Sequence, residues 1–120
     1  MQQAILVVDD DESIGVMLKM MLEHKGYNVI VNQDALNLTE LIAANNIGLI
    51  LLDMLINGVK GTDVCAELKA SISTSHIPII MMTALPGVEQ QCKDAGADGF
   101  LAKPFEMNAL LTKVAAFIIN

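Results

Sequence analysis

The chain has 120 residues, 53% of them hydrophobic, which suits one ordinary domain with a single core, expected to cover residues 1–120. A formal net charge of −7 argues against nucleic acid or an anionic membrane as a direct partner, because phosphate groups repel a surplus of carboxylates. The longest apolar runs, residues 4–8 and 49–52, fall far short of the roughly 18 residues of a membrane span, and no basic leader precedes them, so a soluble, cytoplasmic domain is expected.

Five short runs rich in β-branched and aliphatic residues are predicted as strands: residues 4–8, 27–31, 47–52, 77–82 and 99–102. Several lack polar alternation, as strands do in a parallel sheet covered on both faces. After the first come Asp9, Asp10 and Asp11, then Ile14, Met17, Leu18, Met21 and Leu22, whose spacings of three and four describe the buried stripe of a helix. Asp11 or Ser13 is suited to cap that helix and Gly26 to end it. Leu38, Leu41 and Ile42 follow the second strand, and Val64, Cys65 and Leu68 follow the third, as two weaker versions of the pattern. A short fourth helix is expected over residues 88–95, closed by Gly96. The last helix is marked by Met107, Leu110, Leu111, Val114, Phe117 and Ile118. Its end, from Ala115 to Ile119, holds more apolar side chains than one stripe requires, so an exposed apolar edge is expected there.

Strand and helix thus alternate five times, which predicts an α/β domain with a parallel sheet, since parallel neighbours need a crossover. Ligands of such sheets bind beyond the carboxyl ends of the strands. Those ends carry Asp9 and Asp10, Asp53, Thr83, and Lys103 followed by Pro104. Carboxylates gathered at one rim repel one another unless a cation neutralises them, and an all-oxygen set suits Mg²⁺, or Mn²⁺ in its place. Cys65 and Cys92 sit in apolar, helix-like contexts and read as reduced core residues. His24 and His76 read as solvent-side residues at element ends, and the eight methionines as core filling.

Four runs, ILVVDDDES at 5–13, GLILLDM at 48–54, PIIMMTA at 78–84 and FLAKPF at 100–105, resemble the motifs of response-regulator receiver domains, and the resemblance covers essentially the whole chain. It implies a flavodoxin-like, doubly wound, five-stranded parallel sheet in the order 2-1-3-4-5 with five helices. It further implies a phosphorelay or two-component role in which Asp53 accepts a phosphoryl group from a histidine kinase or a histidine phosphotransfer protein. By the same resemblance Asp9, Asp10, Asp53 and the backbone carbonyl of Leu55 would hold Mg²⁺, while Thr83 and Lys103 would contact the phosphoryl oxygens. Phe100 matches the family's switch aromatic, which moves inward as Thr83 engages the phosphate, and a cis peptide is expected before Pro104. The fourth helix, fifth strand and fifth helix would form the output face, where a homodimer is the further expected partner. Such a domain is a signalling module that promotes its own phosphorylation and dephosphorylation rather than an enzyme acting on other molecules.

Three departures from the family pattern stand out. Ile56 and Asn57 replace a common Met-Pro pair, although Gly58 and Gly61 are kept. Gly15 occupies a first-helix position where the family often has a basic or polar side chain; it is expected to cost the helix about 1 kcal/mol relative to Ala and to leave open space beside the site. The segment from Thr83 to Lys103 is shorter than the family pattern, so the fourth helix should be short or displaced. Two rival readings fail on particular residues. Phosphatases of the haloacid dehalogenase type need an acid two residues after the nucleophile, and Leu55 stands there. A flavodoxin's phosphate loop would meet three repelling carboxylates at residues 9–11.

Overall fold

The computed structural model describes residues 2–118. β1 (Ala4–Val8), β2 (Asn28–Asn32), β3 (Ile47–Asp53), β4 (Ile79–Thr83) and β5 (Gly99–Ala102) form one parallel sheet in the order β2-β1-β3-β4-β5. The crossovers are α1 (Glu12–His24), α2 (Leu38–Ala44), α3 (Gly61–Ala70) and α4 (Glu89–Asp94), and α5 (Met107–Ala115) closes the chain. The order and the five helices agree with the flavodoxin-like arrangement expected from the sequence. Three of the strands, β2, β3 and β4, have limits that move by one or two residues. β4 starts at Ile79 because Pro78 has no N–H to give to a ladder, although its carbonyl still accepts from the Ile50 N–H at 3.0 Å.

The absence of polar alternation has a direct cause, since both faces of the sheet are covered. Leu6, Val8, Ile50, Leu52, Ile79 and Met81 pack with Leu38 and Ile42 of α2, Val64, Cys65 and Leu68 of α3, and Cys92 of α4. The alternate residues Ile5, Val7, Leu49, Leu51, Ile80 and Met82 pack with Leu18 and Leu22 of α1 and Leu110 and Val114 of α5. Each such aliphatic side chain contributes roughly 1.5–3 kcal/mol by leaving water. The two layers therefore hold β1 and β3 rigid from both sides. Cys65 and Cys92 are free, buried thiols, and His24 and His76 are exposed, as the sequence implies.

Four expectations need correction. Met17 is exposed, as are Met20 and Met107, so the methionines are not all core filling, and the buried face of α1 runs through Gly15, Leu18 and Leu22. There is no open space at Gly15: a Cβ there would lie 2.8 Å from Val31 Cγ1, so the missing side chain is what lets α1 seat on β2. The apolar end of α5 is not an exposed edge either. Phe117 is half-buried and Ile118 is buried, leaving only Ala115 and Ala116 exposed, while Ile119 lies outside the described residues. The fourth helix is short, as expected, with six residues and no side-chain cap. Asp11 caps α1, its Oδ1 accepting from the N–H groups of Ser13 at 3.0 Å and Ile14 at 3.3 Å. Among the described residues no helix is long and apolar enough to cross a membrane.

Candidate functional site

Backbone bonds carry the sheet one step past its strands and so position the residues that follow them. The Asp9 N–H donates to the Asn32 carbonyl at 3.2 Å, the Met54 N–H to Met82 at 3.0 Å, and the Lys103 N–H to Thr83 at 2.7 Å. As a result, three of the strand-end residues converge. Asp9 is completely buried; its Oδ1 accepts from the Asp11 N–H at 2.9 Å and its Oδ2 from Lys103 Nζ at 2.8 Å. The same ammonium lies 3.2 Å from Asp53 Oδ1. Lys103 thus bridges a buried and a partly buried carboxylate, and the peptide that joins it to Pro104 is cis, as expected.

Asp10 completes the group from the solvent side. It is exposed, and the carboxylates of Asp9, Asp10 and Asp53 each offer an oxygen within 4.8 Å of the others. Three carboxylates against one ammonium leave two negative charges uncompensated. The imbalance shows in the protonation behaviour. Burial, then the charge of Asp9, push the Asp53 carboxyl above its ordinary pKa, and Lys103 only partly offsets them. Burial alone would lower the Lys103 ammonium, but the Asp9 hydrogen bond and the charges of Asp53 and Asp9 outweigh it and hold the group above its usual value. A hard divalent cation fits this all-oxygen, doubly negative donor set, and Asp9, Asp10 and Asp53 are the side chains that could hold it.

The side chains of the remaining sequence-predicted residues make no hydrogen bond to the carboxylates of this centre among the described residues. Thr83 is buried at the carboxyl end of β4, and its Oγ1 accepts from the Leu85 N–H at 3.0 Å rather than bonding an acid of the cluster. The Leu55 side chain is exposed, on a two-stranded ribbon (Leu55–Ile56 and Val59–Lys60) that directly follows Asp53. Phe100, opposite Met81 in the β4–β5 register, is half-buried against the cluster that contains Cys92.

Two contributors escaped the sequence reading. The ribbon turns through Asn57 and Gly58, both in the left-handed region at φ 49° and 82°, and there the Asn57 N–H donates to Asp10 Oδ2 at 2.8 Å. The Asn-Gly pair is a known hairpin signal, but strands of two residues are too short for alternation to reveal. Nothing in the sequence accounts for Gly61, whose role is steric. A Cβ on it would overlap the Asp53 carbonyl, and its N–H donates to Met54 at 2.6 Å, so the start of α3 presses directly on the Asp53 backbone.

Comparison with known proteins agrees with this geometry. Residues 5–115 match the family described as response regulator receiver domain. A response regulator MprA from Mycobacterium sp. (strain KMS) is 35% identical over 116 residues, covering 95% of this chain and 50% of that protein. The chain therefore spans about half the length of the curated relatives it matches. A response regulator structure from Chloroflexus aurantiacus superposes with a TM-score of 0.90 at 30% identity, with 97% of each chain covered. The receiver domain of a sensor histidine kinase from Pseudomonas aeruginosa PAO1, solved with magnesium coordinated in its active site cleft, gives 0.85 at 28% identity and 98% of each chain. With its sheet order, its acid-and-lysine rim and a family match over nearly its full length all in agreement, the chain belongs to the response-regulator receiver domains, the signalling modules of two-component systems.

Proposed function

We propose that this receiver is a phosphoacceptor that depends on Mg²⁺, and that Asp53 takes a phosphoryl group from the phosphohistidine of a histidine kinase or histidine phosphotransfer protein. The observation that carries the reading is the Lys103 ammonium, set between buried Asp9 and Asp53 at the carboxyl rim of the sheet. Phosphoryl transfer asks a protein mainly for alignment and for compensation of charge on the transferring oxygens. Asp53 supplies the attacking carboxylate oxygen, and a new O–P bond forms as the N–P bond to imidazole breaks. Lys103 is within reach of Asp53 and can follow the charge onto the phosphoryl oxygens. Thr83 has its O–H proton free to donate, because the Leu85 N–H uses only an oxygen lone pair. A divalent cation, held by Asp9, Asp10, Asp53 and the Leu55 carbonyl, would neutralise the remaining negative charge.

The same arrangement serves loss of the group, since water attacking in line would hydrolyse the acyl phosphate and reset the domain. Thr83 and Phe100 form the proposed switch, read by a partner or a second copy at the face built from α4, β5 and α5. The net charge of −7 disfavours direct nucleic-acid contact by this domain itself. Two free thiols suit a reducing compartment, and the cytoplasm is the proposed location.

Intact-mass measurement after incubation with acetyl phosphate and Mg²⁺ tests the acceptor. One added phosphoryl group is expected for the native chain and none for Asp53→Asn. An undiminished yield in the variant would move the acceptor to another residue.

A further inference from the structure

The departure at residue 57 bears on the metal site itself. A proline could neither adopt φ 49° nor donate a hydrogen bond, and Asn57 does both. Its N–H reaches Asp10 Oδ2 at 2.8 Å, within the range of a charge-assisted bond. Its side-chain Nδ2 donates to the Gln33 carbonyl at 3.1 Å. One residue therefore ties the loops that follow β1, β2 and β3. Asp10 is exposed, and this is the single hydrogen bond it makes among the described residues, so without it the carboxylate would be free to turn towards solvent and away from its two like-charged neighbours.

We infer that Asn57 is a positioning residue of the cation site: from a left-handed Asn-Gly turn, its backbone N–H holds one oxygen of Asp10 and leaves the other open to the cation. This rests on the reading of Asp9, Asp10 and Asp53 as the cation-holding set. The energetic logic is preorganisation. Repulsion among three close carboxylates favours splaying them before the ion arrives, and a fixed donor at Asp10 opposes that motion.

The side chain at 57 is less important than the turn and its N–H, which gives a graded series for calorimetric Mg²⁺ titration. Asn57→Gly keeps both and should bind within about twofold of the native chain. Asn57→Val keeps the N–H but resists the left-handed backbone and should bind more weakly. Asn57→Pro removes both and should lose on the order of tenfold, in the range seen when groups that orient a metal ligand are deleted. In an Asp10→Ala background Asn57→Pro should add no further loss, whereas a merely structural role would add its effect in either background.

A second readout needs no metal: exchange of the Asn57 amide proton should be protected in the native chain and accelerated in Asp10→Ala. Should Asn57→Pro fail to fold, Asn57→Val and the amide exchange decide the matter. Native-like Mg²⁺ affinity in the folded proline or valine variant, or an Asn57 amide indifferent to Asp10→Ala, overturns the inference while leaving the cation site standing. A native chain that binds no Mg²⁺ overturns both.

Discussion

The folded chain disfavours the charge on Asp53. Burial and the neighbouring Asp9 raise its pKa above the ordinary 3.8. An acid whose pKa is raised on folding contributes stability that is fully present below the unfolded value and lost as pH rises through the folded value. At neutral pH the ionised carboxylate is therefore a net burden on the metal-free fold. Asp53→Asn should melt higher than the native chain at pH 7 without divalent ions, by roughly 2–6 °C, a modest gain because the site is partly exposed to solvent screening. The difference should narrow at pH 4, and narrow again when Mg²⁺ is added, since the ion stabilises only the chain that binds it well. Thermal scans at the two pH values decide it; a variant that melts lower would mean that Lys103 depends on Asp53 more than on Asp9. The two acids after β1 also separate at this scale. Both oxygens of Asp9 are committed, to Lys103 and to the Asp11 N–H, whereas Asp10 keeps one free. Mg²⁺ titrations should accordingly show a larger loss of affinity for Asp10→Ala, on the order of tenfold or more, than for Asp9→Ala, and equal affinities in all three proteins would make the cluster structural.

Helix α1 shows where a sequence pattern misleads. The spacings among Ile14, Met17, Leu18, Met21 and Leu22 announce a helix correctly, yet they place Met17 in the core, where it is not. The stripe starts at Gly15, which carries no hydrophobic side chain and so gives no signal in a periodicity count. Its contribution is an absence that lets Val31 come close. Gly15→Ala tests which effect is larger. Ala should gain about 1 kcal/mol of helix propensity, but its Cβ meets a β-branched neighbour that has no flexible end to swing away, and overpacking of this kind costs about 1–3 kcal/mol. A net loss of about 1 kcal/mol in urea unfolding is expected, relieved when Val31→Ala is added. A stabilised single variant would show that β2 yields easily. Gly61 is the stricter case, because the obstacle there is the Asp53 backbone itself.

Across the whole molecule, what could be read in advance was what a parallel sheet dictates. Five apolar runs fix five strand ends, and acids, a hydroxyl and an ammonium in those places converge once the strands lie side by side. What could not be read was contact between loops: nothing in the residues around Asn57 says that its N–H meets Asp10, 47 positions earlier. The same division bears on signalling. The amino ends of β4 and β5 are pinned by Lys69, which pairs with Asp98 at 2.7 Å and donates to the Ile77 carbonyl at 2.8 Å, while Asp98 accepts from the Ile79 N–H at 2.9 Å. Beyond the strands, the carboxyl ends are joined by the Lys103 N–H bond to Thr83, and beside them lies an α4 of only six residues with no side-chain cap. A phosphoryl group on Asp53 would favour the state in which Thr83 and Lys103 reach its oxygens, and movement should follow the weakly held end. The Leu85 amide, bonded to the Thr83 hydroxyl, would travel with it. Hydrogen exchange with and without beryllofluoride and Mg²⁺ should therefore change protection at residues 83–88 and 98–118, leave Ile79 at the pinned end unaltered, and show a smaller change beyond residue 98 in Phe100→Ala. If protection changes only at residues 53–61, the phosphoryl mimic is held by its own loop alone, and the Thr83–Phe100 switch does not operate in this domain.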